Sequence, residues 1–177
     1  MTAMTREALV GGWRLVSAVQ VFEDGETRDE FGTAADGYLT YTEQGTVSAV
    51  LGSTARQPVR ASDPQDADAE DYAGMARLFL AYAGRFTVDS DDGDVTHHID
   101  IALFPNWQGR SQPRKLVLVG DRLVIRSSAR RGADGRAFSV DLHWRRERRL
   151  GAAQGSTAFL DQEDDRRPTD PAETFAP

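Results

Sequence analysis

The chain has no cysteine, only three histidines and, among its 21 basic residues, a single lysine, Lys115. Without cysteine there can be no disulfide, no thiol nucleophile and no thiolate metal site. Positive charge is also in deficit: the net charge is -7 and the isoelectric point lies near 5.0. That balance argues against nucleic acid as a partner, because phosphate binding needs a basic face that displaces counterions. Long apolar runs are missing too, and MTAMTREALVGGW at the start contains nothing that would serve as a signal peptide or membrane span. The expectation is a cytoplasmic protein with no membrane partner. No Gly-rich phosphate loop, Gly-x-Ser-x-Gly elbow, Ser-His-Asp order or dinucleotide fingerprint stands out, so no cofactor is expected.

What is present reads as short strands. At 177 residues the chain is long enough for one domain with a real core. Thr5 can cap a short helix, TREALVG, and WRLVSAVQVF then alternates loosely, with Trp13, Leu15, Val19 and Val21 on one face and Ala18 and Gln20 on the other. A piece near Glu26 to Phe31 returns as its hairpin partner. Gly37 to Thr42 and Thr46 to Leu51 flank Glu43-Gln44-Gly45 as a second hairpin. Ser53 to Ala69 is a polar loop. Tyr72, Met75, Ala76, Phe79, Tyr82 and Ala83 recur at spacings of three and four, which predicts one main helix ended by Gly84.

RFTV, VTHHIDIALF, RKLVLV, DRLVIRSS and RAFSVDLHWRR complete about nine strands joined by hairpin-length turns. The expected class is all-β, an antiparallel up-and-down barrel over residues 1–150. Beyond Leu150 hydrophobic content falls away, and residues 151–177 read as an acidic tail, either disordered or a strap anchored by Phe159-Leu160 and Phe175.

The succession GGWRLV, GYLTYTEQGTVSAVL, YAGRF, VTHHIDIALFPNW and a late strand ending LHWRR resembles the bacterial and fungal lipocalin-like domain family. The resemblance covers roughly Gly11 to Arg146, and THHI-x4-FPNW is its most specific part. It implies a small β-barrel with an internal cavity. It also implies that Trp13 closes the barrel floor against an arginine of the last strand, Arg145 or Arg146. Some lipocalin-like barrels of natural-product pathways serve as cofactor-free cyclases or isomerases, so the resemblance allows an enzyme without requiring one.

The candidate site follows from strand alternation. Val95, His97, Ile99, Ile101 and Leu103 share one face, which places His97 among apolar neighbours. Burial would keep it neutral, either as a general base or ligand contact, or as a core histidine satisfied by a neighbouring hydroxyl. His98 points the other way and His143 falls on the outward face of its own strand, so the three supply no common metal site. Asn106 and Trp107 follow the strand-ending Pro105 and can donate to a ligand oxygen at a cavity mouth, beside Phe104.

Gln112 and Arg114 continue the inward face of Leu116 and Leu118, where a guanidinium needs an anion from a ligand or from the protein. Tyr38, Tyr41, Tyr82 and Arg85 complete the set that could line or cover a pocket. Taken with the resemblance, which implies the natural-product setting, these residues favour a barrel that binds a largely apolar, oxygenated small molecule such as a polyketide-type intermediate. It would act on that ligand as a cofactor-free cyclase or isomerase, with His97, Asn106 and Trp107 as the catalytic set, or hold it unchanged as a carrier. Homodimerisation through a strand edge or the tail stays open.

Overall fold

The structure is a computed structural model in which residues 4–89 and 93–147 are described. Ten strands follow in chain order: β1 (Gly11–Phe22), β2 (Thr27–Asp29), β3 (Ala35–Tyr41), β4 (Thr46–Ser53), β5 (Phe79–Val88), β6 (Val95–Ala102), β7 (Ser111–Val119), β8 (Arg122–Ser127), β9 (Arg130–Arg131) and β10 (Ala137–Arg146). Eight of them close an antiparallel barrel in the order β1-β3-β4-β5-β6-β7-β8-β10, with β10 returning to β1; β2 and β9 are short additions at the edges. Closure runs from Trp13 opposite Arg146 to Phe22 opposite Phe138. Full closure leaves the main ladder without a free edge. The tail expected at residues 151–177 lies outside the described residues. No described helix is long and apolar enough to cross a membrane.

Helix α1 (Arg6–Leu9) is capped by Thr5 and carries buried Leu9 under the barrel. Trp13 donates from Nε1 to the Leu9 carbonyl at 2.9 Å, and the Arg146 guanidinium covers its ring at 4.0 Å. The floor arginine is therefore Arg146. Gly11, at φ 130, lies where a Cβ would come within 3.2 Å of Arg146 Nη1, so the backbone conformation and the arginine both favour glycine there. Trp144 is equally buried, but its indole N–H has no hydrogen-bond partner among the described residues. Trp13→Phe is expected to destabilise by about 2 kcal/mol more than Trp144→Phe, because only Trp13 loses a hydrogen bond and a cation contact. Urea unfolding of the two variants measures the difference.

The main helix is shorter than its periodicity predicts. Helix α2 spans Ala69–Ala76, with Asp68 and Asp71 forming a capping box, and stops before Leu78, whose φ is 54°. Phe79, Tyr82 and Ala83 belong instead to β5, which pairs with β4 from Gly52 opposite Phe79 to Thr46 opposite Arg85. Phe79–Val88 also carries a period of two, and the backbone ladder on β4 decides between the two periods.

Two bulges reset the faces. One lies between Leu15 and Ser17, exposing Val16 and burying Ala18 and Phe22, so Val19 and Val21 do not continue the face of Trp13 and Leu15. The second interrupts β5–β6 between Ala83 and Gly84, opposite Asp100. Val95, His97 and Ile99 face inward, whereas Ile101 and Leu103 beyond the bulge are 62% and 42% exposed.

Candidate functional site

His97 occupies the inward face of β6, with no exposed surface, between a tyrosine from β3 and another from β5. The Tyr41 hydroxyl lies 2.8 Å from Nε2 and the Tyr82 hydroxyl 2.9 Å from Nδ1. Burial and the positive charge of Arg114, with a smaller contribution from His98, push the imidazole pKa down to about 3. Burial raises both tyrosine pKa values, and for Tyr82 the nearby Arg114 opposes that shift. All three groups are therefore neutral at physiological pH. A neutral imidazole has one N–H and one bare nitrogen, so one tyrosine donates to it and the other accepts from it. The accepting tyrosine keeps its own proton for a further acceptor.

Arg114 enters the interior from β7, on the same inward face as Gln112, which pairs with His97 across β6–β7. Its side chain is buried, at 9% exposure. Nη1 donates to the Pro113 carbonyl and Nη2 to Gln112 Oε1, each at 3.0 Å. Among the described residues it has no carboxylate partner. A buried guanidinium without a counter-ion is costly, and Arg114 lines a cavity beside Tyr82, whose hydroxyl it also approaches.

That cavity, about 50 Å³, opens at the barrel end opposite Trp13. Its walls are Leu51, Leu80, Ile125, Val140 and Leu142, with Tyr82 and Arg114 supplying polar groups. Trp107 forms part of its edge from the short 3-10 turn Pro105–Trp107 and stands edge-on to Tyr82 with ring centres 6.1 Å apart. At the rim, Glu30 is bound by Arg130 at 2.8 Å and by Gln20 at 2.6 Å. The chemistry of this lining, apolar walls with a guanidinium and a phenolic hydroxyl, suits a mostly apolar molecule that carries an oxygen.

The structure thus brings together His97, Tyr41, Tyr82, Trp107, Gln112 and Arg114. It does not bring in the other four predicted residues. Tyr38 is 52% exposed on the outer face of β3, stacked on Arg14. Arg85 also faces solvent, because β5 alternates and Tyr82 takes the inward position. Asn106 is exposed on its turn, and Phe104, 50% exposed, packs edge-on against Trp107 outside the cavity. His98 points outward and is held by Thr87 and Ser111.

The rim pair Glu30–Arg130 was not legible in the chain. The two residues are a hundred positions apart, and Arg130 does not stand out in an arginine-rich composition. Tertiary closure alone makes them neighbours. Ser127, opposite Arg114 in β8, also reaches the cavity, and its only signal was the strand alternation of Leu123, Ile125 and Ser127.

A closed antiparallel barrel with a cavity at one end and an inward polar cluster defines a lipocalin-type architecture. The chain belongs to the lipocalin-like domain family, whose model matches residues 10–147. Among curated proteins it is similar to the 4'-hydroxy-3'-methoxypropiophenone carrier protein of Aspergillus oryzae. The two are 33% identical over 90 residues, a match covering 46% of this chain and 78% of that protein.

Proposed function

We propose that the barrel binds a small, largely apolar, oxygenated molecule of the aryl ketone type and holds it as a carrier does. The observation that carries this reading is the pairing of an apolar cavity wall with Arg114 and Tyr82, two hydrogen-bond donors on the lining of the same cavity. The carrier protein to which the chain is similar supports it, since that protein's named ligand is an aromatic ketone bearing further oxygens. The cavity, at about 50 Å³, is smaller than the ~150 Å³ that accommodates a benzene ring. Ligand entry therefore moves part of the rim. Trp107, on a turn and not in the ladder, is the wall that gives way.

The test is a titration with 4'-hydroxy-3'-methoxypropiophenone, followed by calorimetry and tryptophan emission. Binding heat should appear together with a change in emission, and Trp107→Phe should remove most of the optical change while the heat remains. Absence of both heat and emission change would overturn the proposal.

A second reading, a cofactor-free cyclase or isomerase acting on a polyketide-type substrate, is favoured by the hydrogen-bonded chain Tyr41–His97–Tyr82 ending at the cavity. With a pKa of about 3, His97 is a poor general base at neutral pH. Catalysis would run by polarising a carbonyl through Arg114 and Tyr82. If a bound ketone or polyketide-type substrate is converted no faster than in buffer, the carrier reading stands and the catalytic one falls.

A further inference from the structure

We infer that the ligand is bound as an oxyanion, an acidic phenol or enol that releases its proton to solvent on entering the barrel, with Arg114 as its counter-ion. This deepens the proposed binding function and rests on it. The cavity has three charged side chains on its lining: Glu30, Arg114 and Arg130. Glu30 and Arg130 neutralise each other at the rim. Arg114 is left with one positive charge, nine-tenths buried, and its hydrogen bonds to a carbonyl and an amide oxygen bring it no negative charge.

The groups that face Arg114 from neighbouring elements do not supply the missing charge. His97 from β6, Tyr41 from β3 and Tyr82 from β5 are neutral, and Ser127 from β8 carries a hydroxyl. Among the described residues no carboxylate forms an ion pair with Arg114, and two carboxylates of the barrel strands and turns have partners of their own. Asp141 is bound to Arg126 at 2.6 Å, and Asp94 to Lys115 at 2.7 Å. A buried charge is stabilised by a partner of opposite sign that also accepts its hydrogen bonds. A ligand oxyanion provides both.

The tyrosine-histidine chain can complete the site. With the proton of the ring on Nδ1, Tyr41 donates to Nε2, Nδ1–H donates to Tyr82, and the Tyr82 hydroxyl is left to donate into the cavity. Each bond in the series points donor-first toward the place where negative charge would sit, and such chains reinforce one another. A conjugated acyl phenol fits, because its ring suits the apolar walls and its acyl group makes the phenol more acidic than tyrosine, with its pKa of about 10.

The experiment uses the full chain with two probes: 4'-hydroxy-3'-methoxypropiophenone and its 4'-O-methyl ether, which has no acidic proton. The phenolate absorbs at longer wavelength than the phenol, so a pH titration of absorbance reads the ionisation of the bound ligand directly. Binding to the wild type should lower the phenol's pKa by one unit or more, equivalent to at least tenfold tighter binding of the anion. Arg114→Gln should abolish the shift and Arg114→Lys should keep most of it. Far-ultraviolet circular dichroism and cooperative urea unfolding like those of the wild type show that both variants are folded. A bound phenol whose pKa is unchanged or raised, or a shift that survives in Arg114→Gln, overturns the oxyanion inference and leaves the carrier proposal intact. If neither probe binds the wild type at any pH, the carrier proposal falls and takes this inference with it.

Discussion

Gly84→Ala is expected to cost the barrel roughly 4 kcal/mol, at the upper end of what a single substitution does. A Cβ at this position would lie 1.9 Å from the His98 carbonyl oxygen and 2.9 Å from the Asp100 amide nitrogen. Both are backbone atoms of β6, so no side chain can rotate away, and relief requires β5 and β6 to separate at the bulge. Few proteins have more than 5–15 kcal/mol in hand, so the variant should unfold at much lower urea concentration or fail to fold. Gly74→Ala provides the contrast. Gly74 lies inside α2, where an added methyl would meet only Val59, at 3.4 Å, so alanine should be neutral or stabilise by up to about 1 kcal/mol through helix propensity. Equal midpoints for the two variants would contradict the strand geometry.

His97→Leu should destabilise by about 3 kcal/mol at pH 7, since it leaves two buried tyrosine hydroxyls without their shared partner. The same residue sets a pH dependence. Its pKa is about 3 in the folded protein and about 6.5 in the unfolded chain. The unfolded state therefore takes up a proton that the folded state refuses. Its contribution to stability is complete above about pH 6.5, falls by about 1.4 kcal/mol per unit as the pH drops, and levels off only below the folded pKa. Glu7, Asp24, Glu26 and Asp36, whose pKa values are lowered by hydrogen bonds and nearby arginines, begin to lose their contribution only below about pH 5. The window from pH 6.5 to about 5 thus separates His97 from these carboxylates. Urea midpoints measured across it should fall for the wild type and stay flat for His97→Gln.

Much of this architecture was legible where local period and tertiary pairing agree. The β3–β4 hairpin, the inward face of β10 and the inward series Gln112, Arg114, Leu116 and Leu118 all follow from alternation. The first half of β6 does as well, which is why His97 could be placed inside. Alternation fails at the bulges, because one extra residue exchanges the faces of everything beyond it. Ile101 and Leu103 were assigned inward for that reason. Gly84 was the available sign, since a glycine within a strand pattern marks a bulge or a close backbone approach, but a helix assigned up to that glycine hid it.

The candidate site was half legible. His97, Tyr41, Gln112 and Arg114 lie on inward strand positions, and each could be recognised from its own strand, whereas Tyr82 was assigned to a helix and reaches the site only because β5 replaces that part of it. Asn106 and Phe104 were drawn in by their closeness in sequence to Trp107, yet a 3-10 turn sends successive side chains in different directions. Only one of the three reaches the cavity. Of the two interpretations of His97, the geometry shows the core one. It is a core histidine satisfied by two hydroxyls, and one of those hydroxyls belongs to the cavity wall.

Methyl-resolved NMR of the protein titrated with 4'-hydroxy-3'-methoxypropiophenone tests the central claim, that the ligand sits inside the barrel against Arg114 and Tyr82. The account predicts saturable shifts of the methyl signals of Leu51, Leu80, Ile125, Val140 and Leu142, which wall the cavity. Shifts confined to Val50, Ile101 and Leu103, which form an exposed apolar patch on the outer face, or no shifts at all, would contradict it.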